Sequence, residues 1–151
     1  MDIGSNNSYP AGALSNFTAR TFVFDGIVCA SMEGLLQAFK FENINSQIAT
    51  CGLVGFAAKK KGSNRNKRWK SMQTLWWNLK PYKRNSKEYQ ELLDRVYNAM
   101  YEQSESLRKQ LNDAGNSIFT HSIGRNDEKE TVLTEREFCS RMQKLKDFGK
   151  I

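Results

Sequence analysis

The sequence predicts one α+β domain, mostly α, with about five to six helices and a small β-hairpin. Apolar residues recur at helical spacing in two clear stripes, Met32, Leu35, Leu36, Phe39 and Tyr89, Leu92, Leu93, Val96, Tyr97, Met100. An Asp25-Gly26 pair separates two short runs rich in β-branched and aromatic residues. A chain of 151 residues with 39% hydrophobic and 11% aromatic content can also bury a single core without disulfides or metal.

Residues 1–13 read as an irregular N-terminal arm, polar and turn-like around Gly4, Pro10 and Gly12, and residues 14–148 as the domain. The strands Arg20–Phe24 and Ile27–Ala30 flank Asp25-Gly26, a pair suited to the two positive φ angles of a type I′ turn. Ser31 stands at the N-cap of a helix over Met32–Phe41. Residues 44–58 read as helical, interrupted at Gly52 and Gly55, and Lys59–Lys67 as a basic Gly/Ser/Asn-containing loop. Trp69–Leu79 reads as a short aromatic helix stopped by Pro81. Ser86 caps the longest helix, and Gly115 ends a shorter one over Glu105–Ala114. Ser117–Thr120 reads as a short strand and residues 121–132 as a loop. Thr134 and Glu137 form a capping box that opens the last helix, through Phe138, Met142 and Leu145.

Cys29, Cys51 and Cys139 are odd in number, far apart and without a CxxC, which argues against a disulfide framework and a zinc site. With His121 the sole histidine, no His-based metal cluster is expected. No secretory signal and no apolar run of membrane-spanning length are found, so a cytoplasmic protein without a membrane partner is expected.

The net charge of +7 is unevenly spread. Lys59, Lys60, Lys61, Arg65, Lys67, Arg68, Lys70, Lys80, Lys83, Arg84 and Lys87 follow one another with no Asp or Glu between them. Such a segment is a candidate phosphate or nucleic-acid face, or else a solvated basic loop. Phosphate or nucleic-acid contacts are assigned to Lys59, Lys60, Lys61, Arg65, Lys67 and Arg68.

Three groups of residues are candidates for chemistry. Glu33, Gln37 and Lys40 share a second stripe of the first helix, roughly 100° from its apolar stripe. At a pocket rim, a partly desolvated Glu can act as acid or base, and a Lys can become a nucleophile toward a sugar aldehyde. The plainer reading is a Glu–Lys pair on the wet side of an amphipathic helix. Trp69 and Trp76, seven apart on the expected aromatic helix, would share a face and stack on bases beside the basic run, unless they are core. His121, after the expected strand, is a candidate for substrate binding or a structural hydrogen-bonding group.

The order of these segments resembles the NADAR superfamily (NAD and ADP-ribose; YbiA-like N-glycosidases). The resemblance rests on Ser15-Asn16-Phe17, the Phe22–Gly26 hairpin turn, Ser31-Met32-Glu33 and Gln37-Ala38-Phe39-Lys40-Phe41, and spans roughly residues 14–146. Two positions depart from the family pattern: Gly34 stands where a His or Tyr often follows the glutamate, and residues 121–124 lack the frequent Trp-Gly element.

The resemblance implies a hydrolase that breaks an N-glycosidic bond beside a ribose, without metal or redox cofactor. Some members act on phosphoribosylated riboflavin-pathway intermediates. Others remove ADP-ribose from nucleic-acid bases, reversing a toxin-like modification, a use that would serve a phage as counter-defence in the host cytoplasm. The basic run favours the nucleic-acid branch, with an ADP-ribosylated nucleic acid or nucleotide as partner. The implied roles are proton transfer for Glu33, charge stabilisation or a transient Schiff base for Lys40, and substrate binding for Asn16, Gln37, Trp69, Trp76 and His121. The alternatives are a non-catalytic nucleotide or nucleic-acid binding module, or an N-glycosidase acting on a ribosyl-phosphate riboflavin-pathway intermediate, and the oligomeric state is left open.

Overall fold

In the computed structural model, which describes residues 1–151, seven helices surround two separate two-stranded hairpins. The first hairpin pairs β1 (Phe22–Phe24) with β2 (Ile27–Cys29), and Asp25 and Gly26 both take positive φ, 47° and 79°. Strand alternation buries Phe22 and Phe24 and leaves Val23 exposed. Asp25 also accepts from Trp77 Nε1 at 2.9 Å and from Arg95 at 2.6 Å, which ties the turn to distant segments.

Helix α1 (Met32–Ala38) starts where Ser31 Oγ accepts from Gly34 N at 3.0 Å and donates to Leu53 O at 2.8 Å. It packs against α2 (Ile44–Cys51) and α3 (Gly55–Ser63). The contact with α2 is backbone to backbone. A Cβ at Gly34 would lie 2.6 Å from Leu53 O and 2.9 Å from Thr50 O, so the family's larger residue has no room here.

The segment read as a basic loop and an aromatic helix is built differently. Lys59–Ser63 belongs to α3, and α4 (Asn66–Met72) follows, which raises the helix count to seven. The helix ends at Gln73, whose φ of 46° is left-handed, and the chain enters β3 (Thr74–Trp77) paired with β4 (Lys80–Lys83). The turn between these strands places Asn78 and Leu79 at φ 50° and 71°. No glycine marks this turn, so the usual hairpin signal is missing from the sequence. All four residues of β3 are buried, so it shows no alternation either, and Pro81 sits within β4. Trp69 and Trp76 therefore do not share a helix face.

Helix α5 (Lys87–Gln103) carries the expected apolar stripe into the core, beside α6 (Glu105–Asp113) and α7 (Glu135–Phe148). Thr134 and Glu137 form the expected capping box. Glu137 also pairs with Arg84 at 2.6 Å, and Arg84 is fully buried. One cation of the basic run is thus internal, and the run is not a single face. The expected strand at Ser117–Thr120 reduces to one parallel bridge, Asp2 with Thr120. Residues 1–13 are irregular in backbone, yet Ile3 is fully buried in the main core. Cys29, Cys51 and Cys139 are free thiols, and no helix is long and apolar enough to cross a membrane.

Candidate active site

One cavity of about 350 Å³ is walled by four stretches of chain. Ser15, Asn16 and Phe17 come from the loop before β1, and Glu33, Gln37 and Lys40 from α1 and the turn after it. Lys59, Ser63, Asn66, Trp69 and Lys70 come from α3 and α4, and His121, Ile123, Arg125 and Phe138 from the last part of the chain. Residues far apart in sequence meet because α1 is pressed against α3 while α5 supports the Asn16 loop from behind. Tyr97, buried on α5, donates its hydroxyl to Asn16 Oδ1 at 3.0 Å. The Asn16 carbonyl in turn accepts from Glu33 N at 3.1 Å, so the Ser-Asn-Phe loop is docked on the first turn of α1.

Glu33 and Gln37 lie one helical turn apart, with Gln37 Nε2 donating to Glu33 Oε1 at 2.8 Å. Burial pushes the Glu33 carboxyl above its ordinary range. The Gln37 hydrogen bond and the charges of Lys40 and Lys59 oppose that push. Lys40 is 7% exposed, and burial lowers its ammonium to about 8, against an opposing pull from Glu33; Lys70 and Lys59 add to the lowering. Its Nζ donates to Asn66 Oδ1 at 2.6 Å. A carboxyl raised by burial and an ammonium lowered by burial thus share one partly desolvated cavity. Two buried polar atoms in this wall, Gln37 Oε1 and Trp69 Nε1, have no partner within the protein. Unpaired buried groups are costly in a fold, and they mark places where a ligand can supply the missing bond.

The comparison with known proteins follows this layout. A family model described as bacteriophage protein GP30.3 matches residues 8–147. A protein of Enterobacteria phage T4, described as an uncharacterized 17.1 kDa protein in the Gp30-rIII intergenic region, is 35% identical over 148 residues, 97% of each chain. The chain belongs to the bacteriophage GP30.3 family. Among solved structures, the NMR structure of the E. coli protein YbiA superposes with a TM-score of 0.63 at 19% identity, covering 97% of this chain and 82% of YbiA. This GP30.3-family chain therefore has the YbiA-like fold that the NADAR resemblance implies.

Seven of the residues singled out in the sequence line the cavity of this family member: Asn16, Glu33, Gln37, Lys40, Lys59, Trp69 and His121. Trp76 does not. It lies on β3, is 4% exposed, and has the Arg68 guanidinium over its ring at 5.0 Å. Trp77 points the other way, against Phe24. Trp76 therefore offers no free face to a base. Arg65 and Arg68 line a separate depression with Phe41, Glu42, Asn43 and Ser46, and Arg68 is paired with Glu42 at 2.8 Å. Lys60, Lys61 and Lys67 lie outside both hollows. Sequence reading missed Asn66, the partner of Lys40, because it fell in a segment read as loop. It took Lys70 only as part of the basic run and left Arg125 out of the phosphate contacts, although both bring cations to the cavity wall.

Proposed function

We propose that this protein is an N-glycosidase that hydrolyses the bond between a ribose and a base, removing ADP-ribose from a modified nucleic-acid base. The observation that carries the proposal is the pairing in one cavity of Glu33, a carboxyl raised by burial, with Lys40, an ammonium held near Asn66. Departure of the base leaves positive charge on the sugar and negative charge on the leaving nitrogen. A protonated Glu33 supplies the proton that neutralises the nitrogen. Lys40, mostly charged at neutral pH, holds the ribose hydroxyl or phosphate oxygens rather than attacking the sugar. Asn16, fixed by Tyr97, orients the ribose, and the Trp69 indole N–H finds its missing acceptor on the substrate. Lys59, Lys70 and Arg125 receive the phosphates.

The cavity volume falls in the lower range of small-molecule sites, room for the scissile ribose and the groups next to it while any attached strand stays outside. A second reading, a phosphoribosylated small metabolite as substrate, is favoured by one observation. Of the six basic residues assigned to phosphate contacts, only Lys59 reaches the cavity.

The test is hydrolysis of two DNA oligonucleotides, one ADP-ribosylated on guanine and one on thymine, by wild type, Glu33→Ala and Lys40→Ala. Release of free ADP-ribose that is lost in both variants is the expected result. No release from either oligonucleotide overturns the nucleic-acid substrate. Activity on a ribosyl-phosphate metabolite that excess duplex DNA leaves untouched would establish the second reading instead.

A further inference from the structure

His121 is the sole histidine of the chain, and three sides of its ring are occupied by protein. Nδ1 lies 2.7 Å from the carbonyl oxygen of Ile3. A carbonyl only accepts, so Nδ1 carries the hydrogen. The ring packs edge to face against Phe138, with centroids 5.1 Å apart and planes at 72°. Cδ2 abuts Gly124, where a Cβ would come within 2.5 Å of it. The part of the ring left over is the Cε1–Nε2 edge. His121 is half-buried and lines the cavity, so this edge is the one that meets the substrate space. In the neutral ring, with the hydrogen on Nδ1, Nε2 presents a lone pair, and it has no partner within the protein.

The support behind this ring is unusually firm for a loop residue. Asp2 accepts from Ser122 N at 2.8 Å, Ser122 Oγ at 2.6 Å and Thr120 Oγ1 at 3.1 Å. Ile3 N donates to Thr120 O at 2.8 Å. The carbonyl that fixes the tautomer is therefore clamped on both sides of His121. Around the cavity, the charged groups are Glu33 from α1, Lys40 after it, Lys59 from α3, Lys70 from α4 paired with Glu130 at 3.1 Å, and Arg125 from the loop of His121 itself. Behind it stand Asp2 and Glu135, the latter accepting from His121 N at 3.4 Å.

We propose that His121 Nε2 is the general base of the glycosidase, deprotonating the water that attacks the ribose across from Glu33. This inference rests on the N-glycosidase reading above. As the water oxygen bonds to C1′, its proton passes to Nε2. The C1′–N bond breaks, its electron pair stays on the base nitrogen, and Glu33 protonates that nitrogen. The enzyme is left with an imidazolium and a carboxylate, which return to their starting forms by exchanging one proton through solvent.

The test combines kinetics and NMR on the full chain, with the guanine-ADP-ribosylated oligonucleotide as substrate. His121→Asn keeps an amide N–H for the Ile3 carbonyl but places nothing at Nε2. Its kcat is expected to fall about 10²-fold or more, with KM nearly unchanged. His121→Ala is expected to regain activity with added imidazole, a rescue that a purely structural role would not give. In ¹⁵N-labelled wild type the single imidazole is expected as the Nδ1–H tautomer, and ADP-ribose should move the Nε2 resonance. A wild-type kcat in His121→Asn, or an Nε2–H tautomer, overturns the general base and leaves the glycosidase reading standing. A wild type inert toward every ribosylated substrate overturns both.

Discussion

Gln37 donates to Glu33 Oε1 at 2.8 Å, while its own carbonyl oxygen is buried beneath Gly62 without a partner. The bond occupies one carboxyl oxygen and leaves the other for the substrate. A hydrogen bond to the charged form lowers a carboxyl pKa, so its loss lets burial push Glu33 further up. Gln37→Leu should therefore move the alkaline limb of the pH–kcat profile to higher pH, because Glu33 acts in its protonated form. Glu33→Gln should abolish that limb and lower kcat by about 10²- to 10⁴-fold. A Gln37→Leu profile that superposes on wild type would show that Glu33 does not set the limb.

Gly62 looks replaceable from its place in a basic helix, where alanine is worth about 1 kcal/mol over glycine. A Cβ there would stand 1.8 Å from Gln37 Oε1 and 3.0 Å from Gln37 Cβ. The amide can swing away, but only by giving up Glu33. Gly62→Ala should leave the thermal midpoint within a few degrees of wild type and move the alkaline limb of the pH–kcat profile upward, as Gln37→Leu does. Calorimetry beside steady-state kinetics checks both halves.

Gly34 faces backbone rather than a flexible side chain, with Leu53 O, Thr50 O and Cys51 O all within 3.0 Å of a Cβ added there. Neither helix can yield without breaking the Ser31 Oγ bond to Leu53 O. Gly34→Ala should cost about 1–3 kcal/mol as an overpacking change, read from urea unfolding. Gly34→His, which restores the family's frequent residue, should cost more than alanine.

Lys40 carries a stability cost that the site retains. Its pKa falls from 10.5 to about 8 on folding, so the folded chain holds fewer protons than the unfolded chain between those values. Stability from this group therefore rises with pH through the window from about 8 to 10.5, and below 8 the charge opposes folding by about 3 kcal/mol. Lys40→Met should stabilise the protein by about 1–3 kcal/mol at pH 7 and abolish activity. The charge-dependent part of the gain should fade above pH 8. Chemical denaturation at pH 7 and pH 10 tests the sign.

The parts of this fold that sequence reveals are those in which local chemistry and tertiary packing agree. Asp25-Gly26 names its own turn, Ser31, Ser86 and Thr134 name the starts of three helices, and the α5 stripe names its buried face. The hairpin of Trp76 and Trp77 is hidden for the opposite reason: its turn residues, Asn78 and Leu79, take positive φ without a glycine, and its strand is buried on both sides. The site divides in the same way. Glu33, Gln37 and Lys40 follow from helical spacing together with the family resemblance. Asn66 and Tyr97 do not, because what matters in each is a contact with Lys40 or Asn16 made across the molecule. The charge run misleads because charge is additive along a sequence but not in space. Arg84 is internal, Arg68 is neutralised by Glu42, and Arg125, outside the run, reaches the cavity.

The bond from His121 to Ile3 joins residues 118 positions apart. On the ribosome, earlier-made residues must wait for almost the whole domain before the loop they hold emerges. Closing so long a loop carries a large entropic cost that only a formed core can repay. The helices around α1 and α5 can collapse first, and the imidazole is oriented last. A chain that lacks this loop therefore leaves the bond to Ile3 unmade, however much of the core has already formed.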